Sequence, residues 1–147
     1  MSSPQSVPHK VLSAGLVVVH FDGQRYRLLA LRSFNSWDFP NALVADGEDP
    51  LQVAIRATQD GTDLGELEFP WGDVARETIA FEDSSVTRYY LAASKSAEVT
   101  LRVPPGDGAE EDFEYRWVTT DEAEDILPPR LALILDWAVK QVAAGTR

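Results

Sequence analysis

The chain has 147 residues, with 13 Lys and Arg against 24 Asp and Glu, and a formal net charge of −11. This length fits one domain with a full hydrophobic core. The charge argues against a nucleic-acid polymer or an anionic membrane as partner, because phosphate backbones are bound mainly by Lys and Arg. A small nucleotide needs only a local basic pocket and stays possible. The chain has no cysteine, which rules out disulfides and thiolate metal sites, and it has no apolar signal or membrane span. We expect a cytoplasmic protein.

The hydrophobic pattern predicts several strands after a polar N-terminal segment. Residues 1–10 contain two prolines and predict a flexible arm, so the single domain is expected to span residues 11–147. Alternating or continuous apolar runs bounded by turn residues predict strands. The predicted strands are 11–21, 26–31, 74–81, 86–93, 99–103 and 113–118, with a hairpin turn at 82–85.

The segment from Trp37 to Leu64 predicts a short strand, a loop and a helix. Asp49 suits the N-cap, and Pro50 suits the first helical position, where its missing N–H costs nothing. Leu51, Ala54, Ile55 and Thr58 recur at helical spacing and predict the buried face. Gly61 is a candidate for an early helix end, because Gly favours the position just after a helix.

The C-terminal third predicts two further helices. A capping signature at Thr120 and several acidic residues predict a short helix over 119–127, and Pro128-Pro129 breaks it. Apolar residues at helical spacing predict a final amphipathic helix from Arg130 to Ala144. Parallel and antiparallel strands together with these helices predict an α+β fold, in which a mixed β-sheet is sandwiched between helices.

Three motifs in this order resemble the Nudix hydrolase superfamily: WDFP at 37–40, GEDP at 47–50 and EYRWV at 114–118. The Nudix box is G-x5-E-x7-R-E-U-x-E-E-x-G-U, where U is apolar. The chain is most similar to the bis(5′-nucleosyl)-tetraphosphatase branch, which implies a Nudix fold over nearly the whole chain. Glu48 and Arg56 occupy the first Glu and the Arg of the box.

The resemblance breaks at the residues that carry the family's chemistry. The box glutamates fall on Ala57, Asp60 and Gly61, and the last box Gly falls on Asp63. Positions 57, 60 and 61 are spaced i, i+3, i+4 and share one helix face. In the family this face holds carboxylates that bind Mg²⁺ or Mn²⁺, and here it holds one. Because these cations are held through oxygen ligands, the sequence predicts a Nudix fold with a degraded metal site.

The resemblance still implies a set of metal-binding and catalytic candidates. Glu48, Asp60 and Glu111 are the candidate metal ligands, and Glu48, Arg56 and Glu111 the candidate catalytic residues. Each also has a structural alternative. Glu48 suits a surface turn near a helix start, Asp60 a helix surface and Glu111 an exposed acidic loop. For Arg56 we expect an ion pair with Glu48 or Asp60.

Five residues outside the box are candidates for substrate binding. Arg32 and Arg88 could reach phosphates, or lie on exposed strand surfaces. Phe34 lies in a short polar loop. Tyr89 and Tyr90 lie on one strand and point to opposite faces, so one of them should face the cleft, where it could stack on a base; core packing is the alternative for each.

Three functions remain open from the sequence. The first is a nucleotide-binding Nudix protein with weak or no hydrolysis and no required cofactor. The second is an active pyrophosphohydrolase in which Mg²⁺ or Mn²⁺ supports attack by water on phosphorus. The third is a scaffold for protein contacts, including a homodimer. The expected partner in the first two is a small nucleotide-type ligand.

Overall fold

A computed structural model describes residues 12–78, 85–102 and 112–145. The strands are β1 Leu12–Phe21, β2 Tyr26–Ser33, β3 Ser36–Asp38, β4 Asn41–Leu43, β5 Leu67–Glu68, β6 Ala75–Glu77, β7 Val86–Ser94 and β8 Phe113–Val118. The helices are α1 Pro50–Thr62, α2 Thr120–Ile126 and α3 Ala132–Gly145, and a 3-10 turn, Pro129–Leu131, precedes α3. The predicted N-terminal arm lies outside the described residues.

Strand β1 lies at the centre of one mixed sheet. It pairs antiparallel with β2 and β4 and parallel with β7. The continuous apolar run from Leu16 to Val19 is buried, which is typical of a strand covered on both faces. Strand β8 pairs antiparallel with β2, and β5 and β6 pair antiparallel with β7.

Helices cover both faces of this sheet. Because side chains alternate along a strand, Leu16 and Val18 pack in one cluster with Val53 and Ala54 of α1. Val17 and Val19 pack in the other cluster, whose helical members are Ala123, Leu131, Ile134, Leu135 and Ala138. Each fully buried Val or Leu contributes roughly 1.5–3 kcal/mol. The prediction of a mixed sheet sandwiched between helices is confirmed.

Helix α1 begins where the sequence predicts. Pro50 occupies the first turn, and Asp49 is the N-cap residue with an extended backbone, although its side chain makes no capping hydrogen bond. The buried residues are Val53, Ala54, Thr58 and Thr62. All four residues of the predicted face were expected to be buried. Ala54 and Thr58 are buried, whereas Leu51 and Ile55 are only partly buried. The buried stripe is therefore rotated slightly from the predicted one.

The end of α1 differs from the prediction. Gly61 does not end the helix, which continues through Thr62 to Asp63 in the left-handed conformation, with φ of 63°. The family's last box Gly falls on this residue, and Asp is one of the few other residues that adopt this conformation readily.

The segment that follows β7 closes the end of the helix instead of forming a strand. The backbone N–H of Thr100 donates to Thr62 O at 3.0 Å, and that of Arg102 donates to Gly61 O at 3.0 Å. These bonds satisfy carbonyls that a helix end leaves without partners. The strand predicted at 99–103 is wrong for its described part, 99–102.

The C-terminal elements follow the predictions with small shifts. Strand β8 has the predicted bounds. The N-cap of α2 is Thr119 rather than Thr120, because Glu122, three residues on, completes a capping box with it. Helix α3 begins at Ala132, two residues later than predicted. Strands β6 and β7 form the predicted antiparallel pair, while most of the predicted turn lies outside the described residues.

Candidate functional site

The loop before α1 is organised by Glu48. Gly47 adopts a positive φ of 83°, which Gly tolerates without steric cost. One Glu48 carboxylate oxygen accepts a hydrogen bond from Ala45 N at 2.9 Å, and the other accepts one from the Arg56 guanidinium at 2.7 Å. The Ala45 N–H bond, and then the Arg56 bond, lower the pKa of Glu48. Glu48 and Arg56 thus tie the loop to the helix.

The second half of α1 faces a cavity of about 360 Å³, which we call the box cavity. Its lining residues are Leu31, Ser33, Ser36, Asp38, Phe39, Pro40, Asn41, Ala57 and Gly61. We call positions 57, 60 and 61 the box face. Ala57 and Gly61 line the cavity, whereas Asp60 is exposed and is not among its lining residues. A Cβ added at Gly61 would meet no heavy atom within 4 Å, so this wall has room for a side chain.

Asp38 has three hydrogen-bond partners at the cavity. Its Oδ1 accepts hydrogen bonds from its neighbour Phe39 N at 2.7 Å and from the Tyr89 hydroxyl at 2.6 Å. Its Oδ2 accepts one from the Arg130 guanidinium at 2.9 Å. Burial, and then the Asp38 charge, raise the pKa of Tyr89. The network therefore joins β3, β7 and the 3-10 turn.

Sequence reasoning assigned no role to Asp38 or Arg130. Asp38 belongs to the WDFP motif, where it lies between two aromatic residues at the end of a strand. This position was the available signal for a polar residue with buried partners. Arg130 directly follows the Pro128-Pro129 break, and its partner lies 92 residues earlier in the chain. No local pattern connects the two residues.

The arginines predicted to bind substrate are engaged with carboxylates. Arg32 donates through Nε to Glu114 at 2.9 Å, and its guanidinium also contacts the Phe34 carbonyl. Arg88 contacts Glu77 at 2.7 Å. Neither arginine lines the box cavity. Their predicted contact with a ligand stays a prediction.

The predicted aromatic candidates lie in three different environments. Phe34 is 59% exposed, has a φ of 57° and lies 5.4 Å from Phe113, ring centre to ring centre. Tyr89 is fully buried, and Tyr90 is 7% exposed. The two tyrosines belong to opposite core clusters, as their alternation predicts. Their burial agrees with core packing, the alternative stated for each.

Two of the three predicted metal ligands, Glu48 and Asp60, lie among the described residues. Glu48 is bound by Ala45 and Arg56, Asp60 is exposed, and Glu111 lies outside the described residues. Residues 12–78, 85–102 and 112–145 contain no group of three His, Asp or Glu side chains able to hold a metal ion. The predicted set of Glu48, Asp60 and Glu111 stays a prediction.

Comparison with known proteins identifies the family. The model of the NUDIX domain matches residues 9–138, and the chain belongs to this family. Bis(5′-nucleosyl)-tetraphosphatase (asymmetrical) from Sus scrofa is 34% identical over 100 residues, which are 65% of this chain and 64% of that protein. The alignment thus spans less than two thirds of that relative's length.

Solved structures show the same fold. An Ap4A hydrolase from C. elegans, in a binary complex, has a TM-score of 0.70 at 21% identity, covering 90% of this chain and 98% of that one. The NUDIX domain of NrtR from Shewanella oneidensis, complexed with ADP ribose, has a TM-score of 0.65 at 15% identity, covering 97% and 92%. The predicted Nudix fold and the resemblance to the tetraphosphatase branch are confirmed.

Among the described helices, none is long and apolar enough to cross a membrane.

Proposed function

We propose that this chain binds a nucleotide-type ligand at the box cavity and hydrolyses it weakly or not at all. The observation that carries the proposal is the wall that α1 presents to the cavity. At the two box-face positions that line it, the chain has Ala57 and Gly61. Neither side chain offers an oxygen to a metal ion or a base to a water molecule, so the helix supplies space where the family supplies carboxylates.

The remaining acidic residues of the box support the same proposal. Glu48 is the predicted ligand closest to the helix start, and both of its oxygens already accept hydrogen bonds. Asp60 is a single exposed carboxylate. Mg²⁺ demands near-ideal octahedral geometry and gives up its water reluctantly, so one flexible surface carboxylate holds it weakly. We therefore assign no step of a reaction to a metal ion.

The proposed ligand class rests on the relatives. The Sus scrofa relative is named for a dinucleoside tetraphosphate, and the Shewanella oneidensis domain was solved with ADP ribose. Both names specify nucleotides. A cavity of about 360 Å³ lies within the usual range for small-molecule sites, roughly 300–1,000 Å³.

Calorimetric titration tests the proposal directly. A non-hydrolysable diadenosine tetraphosphate analogue is titrated into the protein, once with EDTA and once with Mg²⁺, and hydrolysis of the natural compound is assayed in parallel. We expect saturable binding in EDTA and no turnover above the buffer rate. Mg²⁺-dependent turnover that disappears in Glu48→Gln would instead establish the hydrolase function. Neither binding nor turnover would favour the scaffold function.

A double substitution tests whether the missing carboxylates account for weak hydrolysis. Ala57→Glu with Gly61→Glu returns two acidic side chains to the box face, and the open space at Gly61 accommodates the second. We expect Mg²⁺-dependent hydrolysis to appear. The matched control, Ala57→Gln with Gly61→Gln, adds the same volume without charge and should stay inactive. An inactive Glu variant that still binds the analogue would contradict this explanation.

The homodimer and the cytoplasmic location stay predictions.

A further inference from the structure

The box cavity has an unusual charge composition for a polyphosphate site. Of its nine lining residues among the described part of the chain, Asp38 alone is ionisable. Its charge is paired with Arg130 at 2.9 Å. The other lining side chains are apolar, hydroxyl or amide groups. The walls therefore offer a polyphosphate no unpaired positive charge.

Arg32, which directly follows a lining residue, is directed away from the cavity. Leu31 lines the cavity, and Arg32 follows it on the same strand, so its side chain lies on the opposite face of the sheet. There Arg32 is bound to Glu114 at 2.9 Å. The two internal stretches outside the described residues, 79–84 and 103–111, contain no Lys or Arg. They cannot supply the missing charge.

The helix dipole adds to this effect. Ala57 and Gly61 lie in the second half of α1, which runs from Pro50 to Thr62. Anions are favoured at a helix N-terminus and disfavoured toward its C-terminus, where the carbonyl groups give a partial negative charge. A phosphate against this wall would meet the unfavourable end of the helix.

The same walls suit an uncharged, flat ligand with hydrogen-bonding edges. Ser33 and Ser36 bring hydroxyl groups to the cavity. Asn41 brings an amide whose position is fixed by a 2.8 Å hydrogen bond from its Nδ2 to Phe39 O. Leu31, Phe39 and Ala57 supply apolar contact. A volume of about 360 Å³ is near the low end for ligand sites, which suits one nucleoside better than a whole dinucleotide.

We propose that the box cavity binds the nucleoside end of its ligand and leaves the phosphates directed toward solvent. This inference rests on the proposed function, since it takes the ligand to be of the nucleotide type. It predicts that affinity falls as phosphates are added to the nucleoside, whereas a phosphate site would show rising affinity. Each added phosphate brings negative charge toward a protein of net charge −11 without gaining a cation from the described residues that line the cavity.

A ligand series in EDTA separates the possibilities. Adenosine, AMP, ADP and ATP are titrated into the full chain, and guanosine with its phosphates forms a second series. We expect the nucleoside to bind about tenfold more tightly than its triphosphate, because like charges oppose binding. Added NaCl should strengthen triphosphate binding by screening the repulsion and leave the nucleoside unchanged. Affinity that rises with phosphate number would overturn the inference and keep the proposed function. Absence of binding by every member would overturn both.

A charged variant provides an independent test. Ala57→Lys places a cation on the cavity wall, and Ala57→Met places an uncharged side chain of similar length there; both residues favour helices. Thermal unfolding first establishes that both variants fold. Ala57→Lys should then shift preference toward the triphosphate by about tenfold relative to Ala57→Met. Equal preference in the two variants would show that charge does not set the selectivity.

Discussion

The segment before α1 and the second half of α1 are held in opposite ways. Asp38 joins three elements through Tyr89, Arg130 and its own backbone neighbour, and Glu48 is bound from two sides. The box face, by contrast, borders open space. The WDFP and GEDP motifs lie in the first region, whereas the family's box glutamates fall on Ala57, Asp60 and Gly61 in the second.

The largest expected effect comes from Gly15, which lies where β1 approaches the segment before α1. A Cβ at this position would lie 2.5 Å from Pro40 O and 2.8 Å from Asn41 Cβ. Because Gly15 is paired with Asn41 in the sheet, Gly15→Ala must push β1 and β4 apart. We expect the free energy of unfolding to fall by about 3 kcal/mol, measured by urea denaturation.

Gly65→Ala is the control for this substitution. A Cβ at Gly65 meets no heavy atom within 4 Å, so the free energy of unfolding should change by less than about 1 kcal/mol. Similar losses in both variants would mean that the close approach at Gly15 does not restrict the fold.

The next effect comes from the hydroxyl of Tyr89. Tyr89→Phe removes a 2.6 Å hydrogen bond to the Asp38 carboxylate while keeping the buried ring. A hydrogen bond to a charged group is worth about 2 kcal/mol, and denaturation should show a loss of this size. Tyr115→Phe changes a ring that is 39% exposed and should cost far less. An unchanged free energy of unfolding in Tyr89→Phe would show that the hydrogen bond between Tyr89 and Asp38 adds nothing to stability.

The same hydroxyl predicts a loss of stability at alkaline pH. Burial and the Asp38 charge raise the pKa of Tyr89 above its ordinary value of 10.0. Above pH 10 the unfolded chain loses this proton first, so the folded state is favoured fully below pH 10 and less as pH rises. The stability of the natural chain should fall above pH 10 more steeply than that of Tyr89→Phe. Equal slopes would contradict the raised pKa.

Gly61 predicts an effect of opposite sign. It lies within α1, and a Cβ there would meet no heavy atom within 4 Å. Gly61→Ala should therefore raise the free energy of unfolding by about 0.5–1 kcal/mol, since Ala favours the helix and restricts the unfolded chain. Gly47 has equally open surroundings but a φ of 83°, so Gly47→Ala should destabilise. A higher free energy of unfolding in both Gly61→Ala and Gly47→Ala would mean that the positive φ of Gly47 does not determine the effect of the substitution.

The sequence predicted the fold more fully than the site. Apolar runs predicted β1 and β8, and apolar residues at helical spacing predicted α1. The helix end suggested at Gly61, from the preference of Gly for the position just after a helix, was wrong, because the helix continues to Thr62, where Thr100 and Arg102 donate backbone N–H groups to its last carbonyls. The sequence also could not find the pair of Asp38 and Arg130, which no periodic pattern links. Contacts between distant segments decide such features.

The smallest expected effect comes from Glu48, in the loop before α1. Hydrogen bonds from Ala45 N–H and Arg56 lower the pKa of Glu48 below its ordinary value of 4.5. Glu48 therefore stabilises the folded chain above pH 4.5, and this stability is lost as pH falls through the lower folded-state pKa. Because the pair is exposed, the loss is small.

Denaturation between pH 7 and pH 3 tests this expectation. Glu48→Gln should make the free energy of unfolding less sensitive to acid than it is in the natural chain, because the substitution removes the carboxylate that Ala45 N–H and Arg56 stabilise. An equal acid sensitivity in Glu48→Gln and the natural chain would show that the loop that Glu48 holds against Arg56 does not contribute to it.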